Sequence, residues 1–312
     1  MANLKGLRDT PTHHGSFDII ISLAAAHYYV SKLPLEICSE LWSFLSPSPT
    51  LLKTSHPEAY FRSGDSVSIS YEDNNNLIIS RNPYVVGLSQ LGRFPEFAWA
   101  TNCDVLSVCG IGRDGFVVSL SDSRLLLLKR KMLKALDLRA WLFRDGSLGP
   151  CVPKVIAEGG ELLYLSDRDN KCIVRVNLNT GVSVRSPVIC GAPLISYEFA
   201  VLKGLVFVVN LLDSSVFCWD SLGASSWLTV TNSVPRPRGL SLGLHGKCLY
   251  VSSALDEHLY RVLLYDYFKV ERICYIGQAQ QLSYSSSEGL VALVNTYFNR
   301  VETWQETSWM RL

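Results

Sequence analysis

The chain has 312 residues, and its 29 basic and 28 acidic side chains leave a formal net charge of +1, which gives no field to recruit nucleic acid or an anionic membrane. Its 48% hydrophobic content can supply a large core, yet no apolar stretch approaches the ~18 residues of a membrane-spanning helix. The nine cysteines are odd in number and form no CxxC pair, so they read as free thiols packed in strands of a reducing, cytoplasmic protein rather than as a disulfide framework.

Residues 1–16, with Pro11, His13, His14 and Gly15, lack periodicity and are expected to be a disordered leader. Lys5 and Arg8 ahead of the apolar run Ile19 to Ala26 imitate a signal peptide, but Asp18 borders the run and the leading segment is long and polar. Residues 17–63 read as a helical segment. Ile20, Leu23, Ala24 and His27 recur at helical steps, and Leu35, Cys38, Leu41, Trp42 and Leu45 repeat this after Pro34. Pro47 and Pro49 stop the second helix, and Leu51 to Phe61 suits one more short helix.

From residue 64 to 312 the pattern becomes strand-like and repeats. Bursts of apolar β-formers occur at Leu77 to Ser80, Phe116 to Leu120, Leu162 to Ser166, Leu205 to Val209, Cys248 to Ser252 and Leu290 to Val294. Their starts lie roughly 39, 46, 43, 43 and 42 residues apart, within the period of four-stranded propeller blades. An all-β fold is predicted: a six-bladed β-propeller preceded by the short helical segment. Each blade is read as four strands, among them Leu138 to Phe143 as the last strand of the second blade. The sixth blade closes either within its own segment, with Trp309 to Leu312 as a strand, or with a strand borrowed from residues near Ser63.

Blade five, PRPRGLSLGLHGKCLYVSS (Pro235 to Ser253) followed by Tyr265-Asp266, resembles a kelch repeat. Blade four adds Val216 to Asp220 and Trp227, close to the kelch aromatic pair, although the kelch double glycine is replaced in every repeat, as at Ser166-Asp167 and Ser252-Ser253. NHL-type and WD-like propellers share the remaining features. Ile19 to Asp65 is similar to the start of a BACK domain, the linker of BTB-kelch proteins, on its Leu-Ala-Ala helix, its second helix ending in Phe-Leu, and the stretch Leu51-Leu52 to Pro57-Glu58-Ala59-Tyr60. No BTB domain is read ahead of it. Leu33-Pro34-Leu35-Glu36-Ile37 with Leu41-Trp42 and Phe44-Leu45 resembles an F-box instead, and a plain helical cap is a third reading.

No Gly-rich phosphate loop, HExxH or GxSxG motif is present, and the histidines other than the adjacent leader pair lack metal-ligand spacing. The sequence therefore predicts no catalytic residue, no metal site and no cofactor. The kelch resemblance implies a non-enzymatic protein-interaction module whose partner sits on one propeller rim: Arg81, Arg124, Asp167, Arg168, Asp213, Arg236, Arg238, Asp256, Glu257 and Tyr297. It further implies the substrate-recognition part of a cullin-type ubiquitin ligase, with ligase components bound through residues 17–63. The alternatives are a scaffold without ligase contact and a propeller enzyme of the hydrolase or lactonase type. The enzyme needs carboxylates or a metal at the starts of the innermost strands, and those segments (SVSIS, DVLSV, KVIAE, EFAVL, LSLGL, LSYSS) read as mostly small and apolar.

Overall fold

The computed structural model describes residues 51–306 apart from 61–66, 72–76, 82–83, 89–94, 113–114, 130–134, 190–197, 212, 244–245, 286–288 and 297–299. The expectations for the leader, for the helices before residue 51 and for a strand at Trp309 to Leu312 lie outside the described residues.

The described strands are β1 (Leu51–Tyr60), β2 (Val67–Tyr71), β3 (Leu77–Arg81), β4 (Tyr84–Leu88), β5 (Pro95–Ala100), β6 (Val105–Ile111), β7 (Gly115–Leu120), β8 (Leu125–Lys129) and β9 (Leu136–Asp137). They continue as β10 (Val155–Glu158), β11 (Leu162–Asp167), β12 (Cys172–Asn177), β13 (Ser183–Arg185), β14 (Phe199–Leu202), β15 (Leu205–Asn210), β16 (Ser215–Asp220) and β17 (Leu228–Thr231). The last seven are β18 (Pro237–Gly243), β19 (Cys248–Ser253), β20 (His258–Leu263), β21 (Val270–Tyr275), β22 (Ala279–Ser285), β23 (Leu290–Asn295) and β24 (Arg300–Glu306). They pair as four-stranded antiparallel meanders, β2 to β5, β6 to β9, β10 to β13, β14 to β17 and β18 to β21, with a further sheet ordered β1-β24-β23-β22.

Each apolar cluster lies between two successive sheets. Ile78 and Val85 of one sheet pack with Val105, Phe116 and Val118 of the next. Cys109, Val117 and Leu125 meet Val155, Leu163 and Leu165, and Tyr164 and Ile173 meet Phe199, Val208 and Trp219. Ala200 and Phe207 meet Leu240 and Leu249, while Tyr250 and Leu259 meet Leu282 and Leu293. Ala292, Val294 and Val301 then return to Val67, Ile69, Leu77 and Ile79, so the packing closes on itself. This is a β-propeller. The apolar bursts are the second strands, buried on both faces, which is why they read as unbroken hydrophobic runs.

Two expectations are corrected. Leu51 to Phe61 is not a helix: Leu51–Tyr60 is β1, paired antiparallel with β24, and its register shifts between Ser55 and Tyr60 around Pro57, which has no N–H to give a ladder. The unpaired edge of β24 is the stronger demand, and pairing with it overrides local helical periodicity. In the second blade, Leu138 to Phe143 is not a strand. The outer strand stops at Asp137, whose carboxylate accepts the N–H groups of Arg139 (2.9 Å) and Ala140 (3.2 Å) and so caps a short helix, α1 (Leu138–Leu142).

The innermost strands β2, β6, β10, β14, β18 and β22 touch one another in order around the ring. Their edge N–H groups are satisfied by side chains of the neighbouring blade. Ser68 Oγ accepts from Val108 N–H at 3.2 Å, Ser107 Oγ from Val155 N–H at 3.1 Å, and Ser283 Oγ from Tyr71 N–H at 3.0 Å. The small polar residues of these segments thus join blade to blade.

Candidate functional site

Antiparallel pairing places the connections between second and third strands beside the chain entering each first strand, on one face of the ring. In blades three to five this face is built by a repeated turn. The residue ending the second strand is polar and buried, and its side chain accepts the N–H three residues on. Asp167 Oδ1 accepts from Asn170 (3.1 Å), Asn210 Oδ1 from Asp213 (3.4 Å), and Ser253 Oγ from Asp256 (3.2 Å). The residue just before the third strand then has positive φ: Lys171 (54°), Ser214 (52°) and Glu257 (59°). The same buried side chains hold the approach to the first strand. Gly149 N–H donates to Asp167 Oδ2 at 3.1 Å, and Ser253 Oγ donates to the Pro235 carbonyl at 2.6 Å.

The residues expected at a partner-binding rim divide on this frame. Asp167 is fully buried, with its carboxylate engaged by Gly149, by the backbone and side chain of Asn170, and by Arg185 at 3.7 Å. It shapes the loop from a fully buried position. Arg124 is tied to Asp122 at 2.7 Å and to Asn102 Oδ1 at 2.8 Å, and its hydrogen bond holds the Asp122 carboxyl below the usual range. Asp213 accepts from Asn210 Nδ2 at 2.8 Å. Glu257 accepts from the Tyr275 hydroxyl at 2.6 Å. Asp256 accepts from the Tyr260 hydroxyl at 2.5 Å and lies 3.7 Å from Arg272. Burial pushes the Asp256 carboxyl upward, but its bonds to Ser253, Tyr260 and the His258 backbone outweigh this and lower it.

Arg168 and Arg236 are exposed, and among the described residues neither makes an ion pair. Arg236 has φ 41°, its N–H donating to Ser214 Oγ (3.2 Å) and its carbonyl accepting from Ala254 N–H (2.9 Å), so its side chain projects from a doubly anchored backbone. Beside them the same face exposes Leu255 (63%) and Val188 (56%). Arg81 ends β3, and nothing is described of its side chain; Tyr297 lies outside the described residues.

Sequence reading missed a buried ion pair between the starts of two neighbouring innermost strands. Lys154 precedes β10, Glu198 precedes β14, and Arg238 is the second residue of β18. Lys154 Nζ stands 2.9 Å from Glu198 Oε2, and both side chains are nearly fully buried. Burial raises the Glu198 carboxyl above its usual range, opposed by Lys154 and, more weakly, by Arg238. Arg238 is half-buried, and that burial lowers its guanidinium. The first letters of KVIAE and EFAVL were the available signal, but only ring closure shows that they meet. Among the described residues no group of three or more His, Cys, Asp and Glu side chains is placed to hold a metal ion. No helix of the described residues is long and apolar enough to cross a membrane.

No protein-family model and no curated protein matches the sequence. Solved structures share the fold. A luciferin-regenerating enzyme is similar with a TM-score of 0.60 and 8% identity over 84% of this chain and 96% of that one. A streptogramin B lyase has a TM-score of 0.57 and 11% identity over 83% and 98%. The β-propeller domain of Cps50 (Swd1) from Myceliophteria thermophila has a TM-score of 0.53 and 10% identity over 76% and 82%. At these identities the likeness is one of fold alone: the chain is a β-propeller.

Proposed function

We propose that the chain is a non-enzymatic interaction module that holds a protein partner on the face made by the second-to-third-strand turns of blades three to five. The observation that carries this reading is the division of that face. Its acidic residues are tied back to the protein, while Arg168 and Arg236 are exposed, without an ion pair among the described residues, on the same face as exposed Leu255 and Val188. Arginine next to apolar side chains on a rigid backbone is the composition of a binding surface, and the doubly stapled turns limit the ordering cost of association. The kelch affiliation and the cullin-type assembly rest on residues 235–253 and 17–63 by resemblance, and the proposal requires neither.

Quantitative affinity capture with the full chain, its Leu255→Asp variant and its Arg168→Glu/Arg236→Glu variant tests the reading. Proteins recovered with the unaltered chain and lost with both variants are expected. Equal recovery by all three, or a turnover activity of the purified chain abolished by Glu198→Gln, would overturn it.

A further inference from the structure

We propose that His258 is a proton-operated switch on the interaction face, an inference that rests on the interaction reading above and names how that face is regulated. The turn from Ser253 to His258 carries exposed Leu255, and Ala254 N–H donates to the Arg236 carbonyl at 2.9 Å, so the turn is fastened to the Arg236 backbone. His258 opens β20 opposite Tyr275 of β21. Its Nδ1 lies 2.5 Å from the Asp256 carbonyl, which only accepts, so Nδ1 carries a hydrogen. Arg272 Nη2, from β21, is nearly equidistant from the two ring nitrogens, 3.0 Å from Nδ1 and 2.9 Å from Nε2. A guanidinium has donors only, so this contact fits a ring with a bare Nε2, the neutral form.

Protonation puts a hydrogen on Nε2 and a positive charge against Arg272, where like charges repel. The other charged and titratable groups facing the ring, among the described residues, are Asp256, Tyr260, Glu257 and Tyr275. Asp256 Oδ2 lies 4.0 Å from Nδ1 and 3.7 Å from Arg272 Nε, and accepts from the Tyr260 hydroxyl at 2.5 Å. Glu257 is held by the Tyr275 hydroxyl at 2.6 Å, and the Tyr275 ring stands edge-on to the imidazole with centroids 5.5 Å apart. The imidazolium and Arg272 then compete for one carboxylate, that of Asp256. The imidazole side chain is 21% exposed and keeps its bond to the Asp256 carbonyl, whereas Arg272 is 56% exposed and is the group that yields to solvent. Acid thus adds an imidazolium and an unmasked guanidinium to the face that bears Arg168 and Arg236. A partner held by those arginines is gripped more tightly as pH falls.

The test labels histidine Cε1 with 13C and arginine with 15N in the full chain, and follows both signals from about pH 8 to pH 5, where imidazole ordinarily titrates. His258→Gln and Arg272→Gln assign the two resonances. The Arg272 Nε–H signal is expected to move with the midpoint of His258, and Arg272→Gln to raise that midpoint by about 0.5, roughly a threefold gain in proton affinity. An Arg272 signal indifferent to that midpoint, or a midpoint unmoved or lowered by Arg272→Gln, overturns the switch. In parallel, p-benzoylphenylalanine at Leu255 is crosslinked to protein partners at about pH 7.5 and about pH 5.8. The unaltered chain is expected to give roughly threefold more adduct at the lower pH, and His258→Gln equal amounts at both. Equal yields from the unaltered chain, or a pH dependence that survives His258→Gln, overturn the regulation and leave the face standing. No adduct at either pH overturns the face and its regulation together, while the titration still decides the coupling of His258 to Arg272.

Discussion

Asp167 shows how one side chain can look like a contact and be a staple. A carboxylate at a loop tip just before Arg168 and Asp169 invites a binding role, yet its oxygens are occupied by Gly149, Asn170 and Arg185 and it is wholly buried. Replacing it with alanine leaves the Gly149 and Asn170 donors unsatisfied, and a loss of about 2–4 kcal/mol in urea unfolding is expected, against less than about 0.5 kcal/mol for Arg168→Gln. Gly149 is bound to the same device, since a Cβ there would lie 2.4 Å from Asp167 Oδ1. Charged pairs also set the acid limb of stability. Arg261, bonded at 2.6 Å, and then Lys269 hold the Glu271 carboxyl below its usual range. A depressed folded-state value contributes stability that is present above the unfolded value, near 4.3, and is lost as pH falls through the lower folded one. Glu271→Gln should therefore flatten the decline of melting temperature below about pH 4.5, while leaving the pH 7 to 8 region parallel to the unaltered chain. Glu198 works with the opposite sign, since its raised value favours the fold at low pH and this contribution fades as pH rises through it.

At the scale of the element, the second strands were legible because burial on both faces demands a continuous apolar run, and the first strands were misjudged because their serines look uninformative alone. Those serines, Ser68 and Ser107 among them, complete hydrogen bonds across the seam, and second-strand serines do the same. Ser252 Oγ accepts from Gly239 N–H at 2.8 Å and donates to the Ala279 carbonyl at 2.9 Å, joining β19 to its own first strand and to the next blade. Ser252→Ala is expected to cost about 1–3 kcal/mol by denaturant unfolding, because both backbone groups are buried. The hairpin between β20 and β21 carries strain of another kind. Tyr267 and Phe268 occupy the two central positions of its turn with φ of 48° and 56°, and Lys269 N–H donates to the Asp266 carbonyl at 2.8 Å. That turn favours Asn-Gly, and bulky residues there cost about 1–3 kcal/mol each. Tyr267→Asn/Phe268→Gly should raise the unfolding free energy by about 1 kcal/mol or more, and a decrease would show that the exposed aromatics have packing partners after all.

For the whole molecule, the repeat period carried the fold class, because the spacing of the bursts follows from the size of one meander. What the sequence could not show were the contacts made only when the ring closes. β1 pairs with β24 across nearly the whole described length of the chain; a borrowed closing strand was one of two expected closures, but no local pattern placed it at Leu51–Tyr60. The ion pair of Lys154 and Glu198 likewise joins two blades, so each residue looked ordinary in its own strand. Deleting residues 1–60 removes the closing strand, whereas deleting 1–49 spares it. The shorter deletion is expected to keep a single cooperative thermal transition, and the longer one to broaden it or lower it by many degrees; indistinguishable melting of the two would contradict the closure.

The central claim is that one face of the ring meets a partner, and site-specific photo-crosslinking tests it most directly. p-Benzoylphenylalanine placed at Leu255 reports on the face bearing Arg168 and Arg236, and the same probe at Leu222, exposed in the turn between β16 and β17, reports on the opposite face. The account predicts a discrete protein adduct from the Leu255 position that disappears when Arg168 and Arg236 are changed to glutamate. An adduct only from Leu222, or one from Leu255 that is indifferent to the two arginines, would contradict it.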